Sequence, residues 1–99
     1  MFIHAVLFEV RPCEVKQYRK DSKMWAGYAK KAPGFVAYFT MKRLGFKHHY
    51  ASVYEWKTKA HHERFMKKYH DWLESLSKAR VKVLGYYNLR EIDNLRRRG

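Results

Sequence analysis

Apolar side chains occupy both phases of the alternation that opens the chain: Phe2, Val6, Phe8 and Val10 on one, Ile3, Ala5 and Leu7 on the other. A segment written this way predicts a strand that is apolar on both faces. Arg11-Pro12-Cys13 ends it, because proline has no N–H to give to a continuing ladder. From Glu14 the period changes. Val15, Tyr18, Ser22, Trp25, Ala29 and Ala32 recur at three- and four-residue steps, with Lys16, Lys20, Lys23 and Lys30 largely off that stripe, which predicts a first helix. Pro33-Gly34 stops it: the residue before a proline avoids the helical region, and glycine tolerates a left-handed exit. Phe35 to Arg43 and Tyr50 to Lys57 are rich in aromatic and β-branched residues and predict two strands joined by a turn over Leu44 to His49.

Thr58 then stands where a helix cap belongs, with His61 three positions on, an incomplete capping box. Phe65, Met66, Tyr69, Trp72, Leu73 and Leu76 form the stripe of a second helix running to about Ser77. Arg80 to Leu89 alternates again, with Val81, Val83, Tyr87 and Leu89 on one face and Leu84 and Tyr86 on the other, giving a fourth strand. The order is β-α-β-β-α-β, the split motif of an α+β ferredoxin-like domain: a four-stranded antiparallel sheet with two helices on one face. Two helices cover one face only, yet the strands are apolar on both, so the open face needs a partner. A second copy of the chain, a homodimer, is the simplest one. Residues 1–93 are expected to form the domain, and 94–99, with Arg96-Arg97-Arg98, a basic flexible tail.

Hydrophobic residues make up 46% of the 99 and aromatic residues 17%, ample for one small core and for an interface besides. No basic-then-apolar leader opens the chain and no stretch is apolar enough to span a bilayer, so no membrane association is expected. The lone Cys13 excludes an internal disulfide and favours a reducing compartment, which makes the cytoplasm the expected location. Charge changes the picture more: 22 basic residues against 9 acidic ones give +13. Such a field attracts nucleic acid, phosphates, acidic lipids and carboxylates, or serves as a solvated surface that aids solubility.

Three segments in order resemble the antibiotic biosynthesis monooxygenase family. "FEVRPCEV" at 8 to 15 is similar to its strand-then-basic-Pro-Gly pattern, with Cys13 where glycine is usual; "APGFVAY" at 32 to 38 is similar to its Pro-Gly-Phe start of strand two; "VYEWKTKAHHERF" at 53 to 65 resembles its passage from strand three into helix two. The resemblance covers residues 1 to about 90. It implies a dimeric α/β barrel with a pocket in each subunit between sheet and helices. It also implies one of three roles: a cofactor-independent monooxygenase acting on aromatic substrates, a heme-degrading oxygenase, or an accessory dimer without catalysis. The residue set of the heme-degrading branch is absent: His4 and Val6 stand near its strand-one asparagine, Phe65 near its tryptophan and Ser75 near its histidine. No cofactor is therefore expected, and if heme binds, His70 is the candidate ligand.

His4, mid-strand among Phe2, Val6 and Phe8, is the candidate catalytic residue. It is either a core histidine bonded to a carbonyl or a base facing a pocket. His62 starts the buried stripe of helix two and His70 sits at its edge. Trp25, Tyr28, Tyr38, Tyr54, His62, Phe65, Met66 and Tyr69 are the candidate substrate-binding residues for a small aromatic or anionic ligand; most aromatics must fill the core in any case. No metal site is expected. The rival from another class is a nucleic-acid-binding module, since "GFVAY" at 34 to 38 matches the end of an RNA-recognition signature and would offer Tyr38 and Phe39 for base stacking.

Overall fold

A computed structural model describes residues 1–97. Strand β1 (Phe2–Glu9) is followed by a 3-10 turn (Pro12–Glu14), α1 (Val15–Lys30), β2 (Phe35–Lys42), β3 (His49–Trp56), α2 (Lys59–Leu76) and β4 (Lys82–Arg90). Strand order across the sheet is β2-β3-β1-β4 and every neighbouring pair is antiparallel. This is the ferredoxin-like arrangement, and β1, apolar on both phases, takes a central position.

Register decides which side chains meet. Phe2 pairs with Trp56, His4 with Tyr54 and Val6 with Ser52, all on the face that the helices cover. There Phe2, Ala29, Tyr54, Trp56, Phe65 and Leu73 form the core cluster. Trp56, fully buried, is held edge-on by Phe35 at 5.7 Å and tilted against Phe65 at 5.3 Å. Emptying such a site typically costs about 3–5 kcal/mol.

The two helix ends follow their sequence signals. Thr58 Oγ1 accepts from the His61 N–H, and His61 Nδ1 lies 2.7 Å from the same hydroxyl, so the imidazole engages the capping side chain itself. Gly34 leaves α1 at φ +82°, and its carbonyl accepts from Lys57 N–H at 2.8 Å, tying the exit of α1 to the end of β3. A Cβ at Gly34 would stand 2.2 Å from His61 Cγ, so both the backbone angle and the neighbour require glycine.

β4 departs from the strict alternation expected of it. Phe8 pairs with Val83 but Leu7 with Gly85, so Leu84 is the extra residue of a bulge. The phase changes there: Val83 shares the helix-side face with Tyr86 and Asn88, while Tyr87 and Leu89 fall on the open face. The expected grouping of Val83 with Tyr87 and Leu89 is therefore wrong, because a single inserted residue inverts a two-residue period.

Ile3, Ala5, Leu7, Phe39, Met41, Val53, Tyr87 and Leu89 line the open face, with Phe39 46% and Leu89 59% exposed. After β4, Glu91 receives the N-terminal ammonium of Met1. Asn94 to Arg97 have no regular structure, and Arg98 and Gly99 lie outside the described residues. Among the described residues no helix is long and apolar enough to cross a membrane.

Candidate functional site

A cavity of about 470 Å³ opens between the helix-side face of the sheet and the two helices. Its closing wall is the irregular segment after α2, which has no ladder of its own to satisfy its backbone. Helix α1 and the turn before it supply the acceptors instead: Asp21 Oδ2 accepts from the N–H groups of Lys78 and Ala79 at 2.9 and 2.8 Å, and Glu14 accepts from Arg80 N–H at 2.7 Å. Trp25 Nε1–H donates to Ser77 Oγ at 2.8 Å and fixes the indole against the same segment.

His4 projects into this space from β1 and is 7% exposed. Its Nδ1 lies 2.8 Å from Asn88 Oδ1 on the neighbouring strand. The amide oxygen only accepts, so Nδ1 carries the proton and Nε2 keeps its lone pair. His62 comes down from the first turns of α2, and the two imidazoles meet tilted by 32° with centroids 4.3 Å apart. Burial lowers the pKa of both. The His62 ring is pushed down to about 4, first by desolvation and then by His4 and Lys59. His4 is lowered by desolvation, the Asn88 bond opposes that, and His70 adds to it. Both rings are neutral at pH 7.

A second polar group stands on the wall formed by α1 and β3. Tyr18 and Ser52 hydroxyls lie 2.7 Å apart, and burial raises the Tyr18 phenol to about 12 despite its bonds to Ser52 and Ser22. Burial likewise holds the Tyr54 phenol well above its ordinary value. Trp56 also lines the cavity, and its buried indole N–H has no hydrogen-bond partner among the described residues.

Of the residues singled out from sequence, His4, Trp25, Tyr54, His62, Phe65, Met66 and His70 line the cavity. Tyr28, Tyr38 and Tyr69 do not. Tyr28 packs between the helices, 5.6 Å from Tyr69 and 5.1 Å from Trp72. Tyr38 lies on the next strand out, its hydroxyl bonded to Thr40 at 2.7 Å and to Ser52 at 3.3 Å. Tyr69 faces a smaller cleft on the other side of α2. The His4 partner is a side-chain amide from β4 rather than a backbone carbonyl.

Tyr18, Ser22, Ser52 and Asn88 were not among the candidates. Ser22 and Ser52 had a readable signal, a small hydroxyl in the apolar phase of a helix and of a strand; Asn88 had none, because the bulge hides its phase. His70 lies with Nδ1 3.0 Å from Asp71 and Nε2 3.3 Å from Glu74, so an iron at either nitrogen would have to displace a carboxylate contact. As it stands the cavity does not suit heme ligated through His70. Among the described residues no cluster of three or more His, Cys, Asp or Glu can hold a metal ion.

No family model and no curated protein matches the chain in sequence. Solved structures do match it. SnoaB of Streptomyces nogalater, a cofactor-independent oxygenase, superposes with a TM-score of 0.78 at 13% identity over 95% of each chain. A provisionally named antibiotic biosynthesis monooxygenase from Nitrosomonas europaea gives 0.72 at 9% identity over 94% of this chain and 100% of that one. Another, from Deinococcus radiodurans, gives 0.70 at 13% identity over the whole of both chains. Identities this low carry the fold and no chemistry. The chain has the fold of the antibiotic biosynthesis monooxygenases, a ferredoxin-like α+β domain.

Proposed function

We propose that this chain is a cofactor-independent monooxygenase, working as a homodimer, that takes a flat aromatic substrate carrying an acidic proton into the cavity beside His4. The observation that carries this reading is the close-packed pair of neutral imidazoles in an apolar cavity. In such a site an electron-rich substrate can supply the electrons that reduce oxygen, and the protein need only remove a proton and hold the anion. His4 is the base: the Asn88 bond fixes its tautomer and opposes its desolvation, whereas His62, pushed down to about 4, is too weakly basic. Nε2 of His4 takes the proton, leaving a delocalised carbanion or phenolate. The Tyr18–Ser52 hydroxyl pair, which lines the same cavity, is the donor for the negative oxygen. For an anthrone-type methylene, one atom of O2 ends in the new carbonyl and the other leaves as water with the two hydrogens.

The similarity to SnoaB supports the reading at the level of fold. The test is oxygen uptake with 1,8-dihydroxyanthrone under a metal chelator and without flavin. We expect turnover that falls at least about a hundredfold in His4→Ala, in line with loss of a general base, while the circular dichroism stays native. No uptake by the wild-type protein, or uptake untouched by the substitution, overturns the assignment and leaves an accessory dimer as the better description.

A further inference from the structure

The smaller cleft lies outside the oxygenase reading and does not depend on it. It measures about 250 Å³ and is bounded by Lys31, Ala32 and Pro33 at the exit of α1, and by one stripe of α2, His61, Arg64, Phe65, Lys68 and Tyr69. Three permanent cations thus converge on one concave space. Among the described residues only Lys59 makes a Lys or Arg ion pair with a carboxylate side chain, with Glu63 at 3.9 Å, so the three cations of the cleft have no protein counter-charge. Two of them are propped in place by aromatic rings: Lys68 Nζ stands 5.2 Å from the Tyr69 centroid and Lys31 Nζ 5.9 Å from that of Tyr28. Cations held this way lose less freedom when they bind an anion. His61 adds a ring tied at Nδ1 to Thr58.

We propose that this cleft is a binding site for a soluble phosphate ester or diphosphate. Its volume admits one or two phosphoryl groups and excludes a strand of nucleic acid. The Arg64 guanidinium offers the planar fork that grips phosphate oxygens in pairs, and the two ammonium groups neutralise the remaining charge. The ligand's non-phosphate part lies toward Tyr69 and Phe65, the apolar wall.

The experiment is calorimetric titration of the full chain with inorganic pyrophosphate at about 0.15 M salt, where surface charges more than about 8 Å apart are largely screened. The expected result is saturable one-to-one binding that Arg64→Gln with Lys68→Gln weakens tenfold or more. Lys16→Gln with Lys20→Gln removes the same charge from the far end of α1 and should stay within about twofold of wild type, since that end lies on the order of 20 Å away. Lys31→Gln alone serves as a second probe if the double variant is poorly folded, and should weaken binding several-fold. Equal weakening by both double variants reduces the effect to net charge and overturns the proposal, as does the absence of saturable binding to the wild-type chain. A parallel arm uses vesicles containing phosphatidate. Binding to these that depends on Arg64 and Lys68, without binding to free pyrophosphate, overturns the soluble ligand in favour of a lipid headgroup.

Discussion

His4 and His62 face one another ring to ring, 32° between planes, one presented by a strand and the other by a helix. His4 thereby lowers the proton affinity of His62, since two imidazolium ions at that distance in an apolar cavity repel.

The first prediction follows from that pair. Both rings bind a proton more weakly folded than unfolded, so as pH falls the unfolded chain takes up protons first. Stability from these groups is complete above the ordinary histidine value and is lost progressively from about 6.5 toward about 4. The His62 share is about 1–2 kcal/mol once its partial exposure is discounted. Urea melts between pH 7.5 and 4 should show this fall, with a smaller one in His62→Phe; identical pH profiles for the two would contradict it.

Asn88 sets the His4 tautomer, and Asn88→Ala should release it. Loss of a hydrogen bond that raises the His4 pKa lowers it further, and stability drops by about 1 kcal/mol. Nitrogen NMR should find the Nδ1–H form in the wild-type ring and a mixture in the variant. A wild-type ring protonated on Nε2 would refute the proposed base.

Gly34→Ala should destabilise by roughly 2–4 kcal/mol, combining the left-handed backbone with the clash against His61. Removing the ring in Gly34→Ala with His61→Ala should not restore stability fully, since the His61 Cβ itself would sit 2.7 Å from the new methyl. Thermal melts decide; a Gly34→Ala protein as stable as wild type would mean that the α1 exit relaxes freely.

The open sheet face separates the dimer from the nucleic-acid reading. Light scattering should report twice 12.1 kDa for the wild-type chain and a monomer for Phe39→Asp with Leu89→Asp. Tyr38, which the RNA-binding reading offers for stacking beside Phe39, turns toward the helix side, so only Phe39 of that pair is placed to stack on a base from the open face. If the face binds RNA, Phe39→Ala should lose about tenfold in affinity, since stacking contributes about 1–3 kcal/mol per base. An RNA affinity that depends on salt and not on Phe39 leaves the face to a second copy.

What was legible in the chain was what period and punctuation encode. Elements and order could be read because Pro12, Pro33-Gly34 and Thr58 mark their ends and apolar spacing marks their interiors. His4 and His62 stood out because a polar ring in an apolar phase is conspicuous. Their contact was not legible, since it depends on how α2 crosses β1, and neither was the Asn88 partner, because two phases of β4 are joined at Leu84. Tyr28, Tyr38 and Tyr69 show the converse: aromatic identity alone does not say which side of a helix or which strand of a sheet meets the cavity.

The bulge in β4 has a counterpart in β2, and together they bear on solubility. Val36 is the extra residue in β2 and Leu84 in β4, and these are the two outer strands of the sheet. A bulge twists an edge and interrupts the row of N–H and C=O groups that would template a foreign strand. A chain with a broad apolar sheet face is exposed to runaway self-association, and here the irregular borders guard against lateral growth. Stacking through the face stays open to it while fibril-like extension is discouraged, so straightening either border by deleting Val36 or Leu84 should make the protein more prone to aggregate.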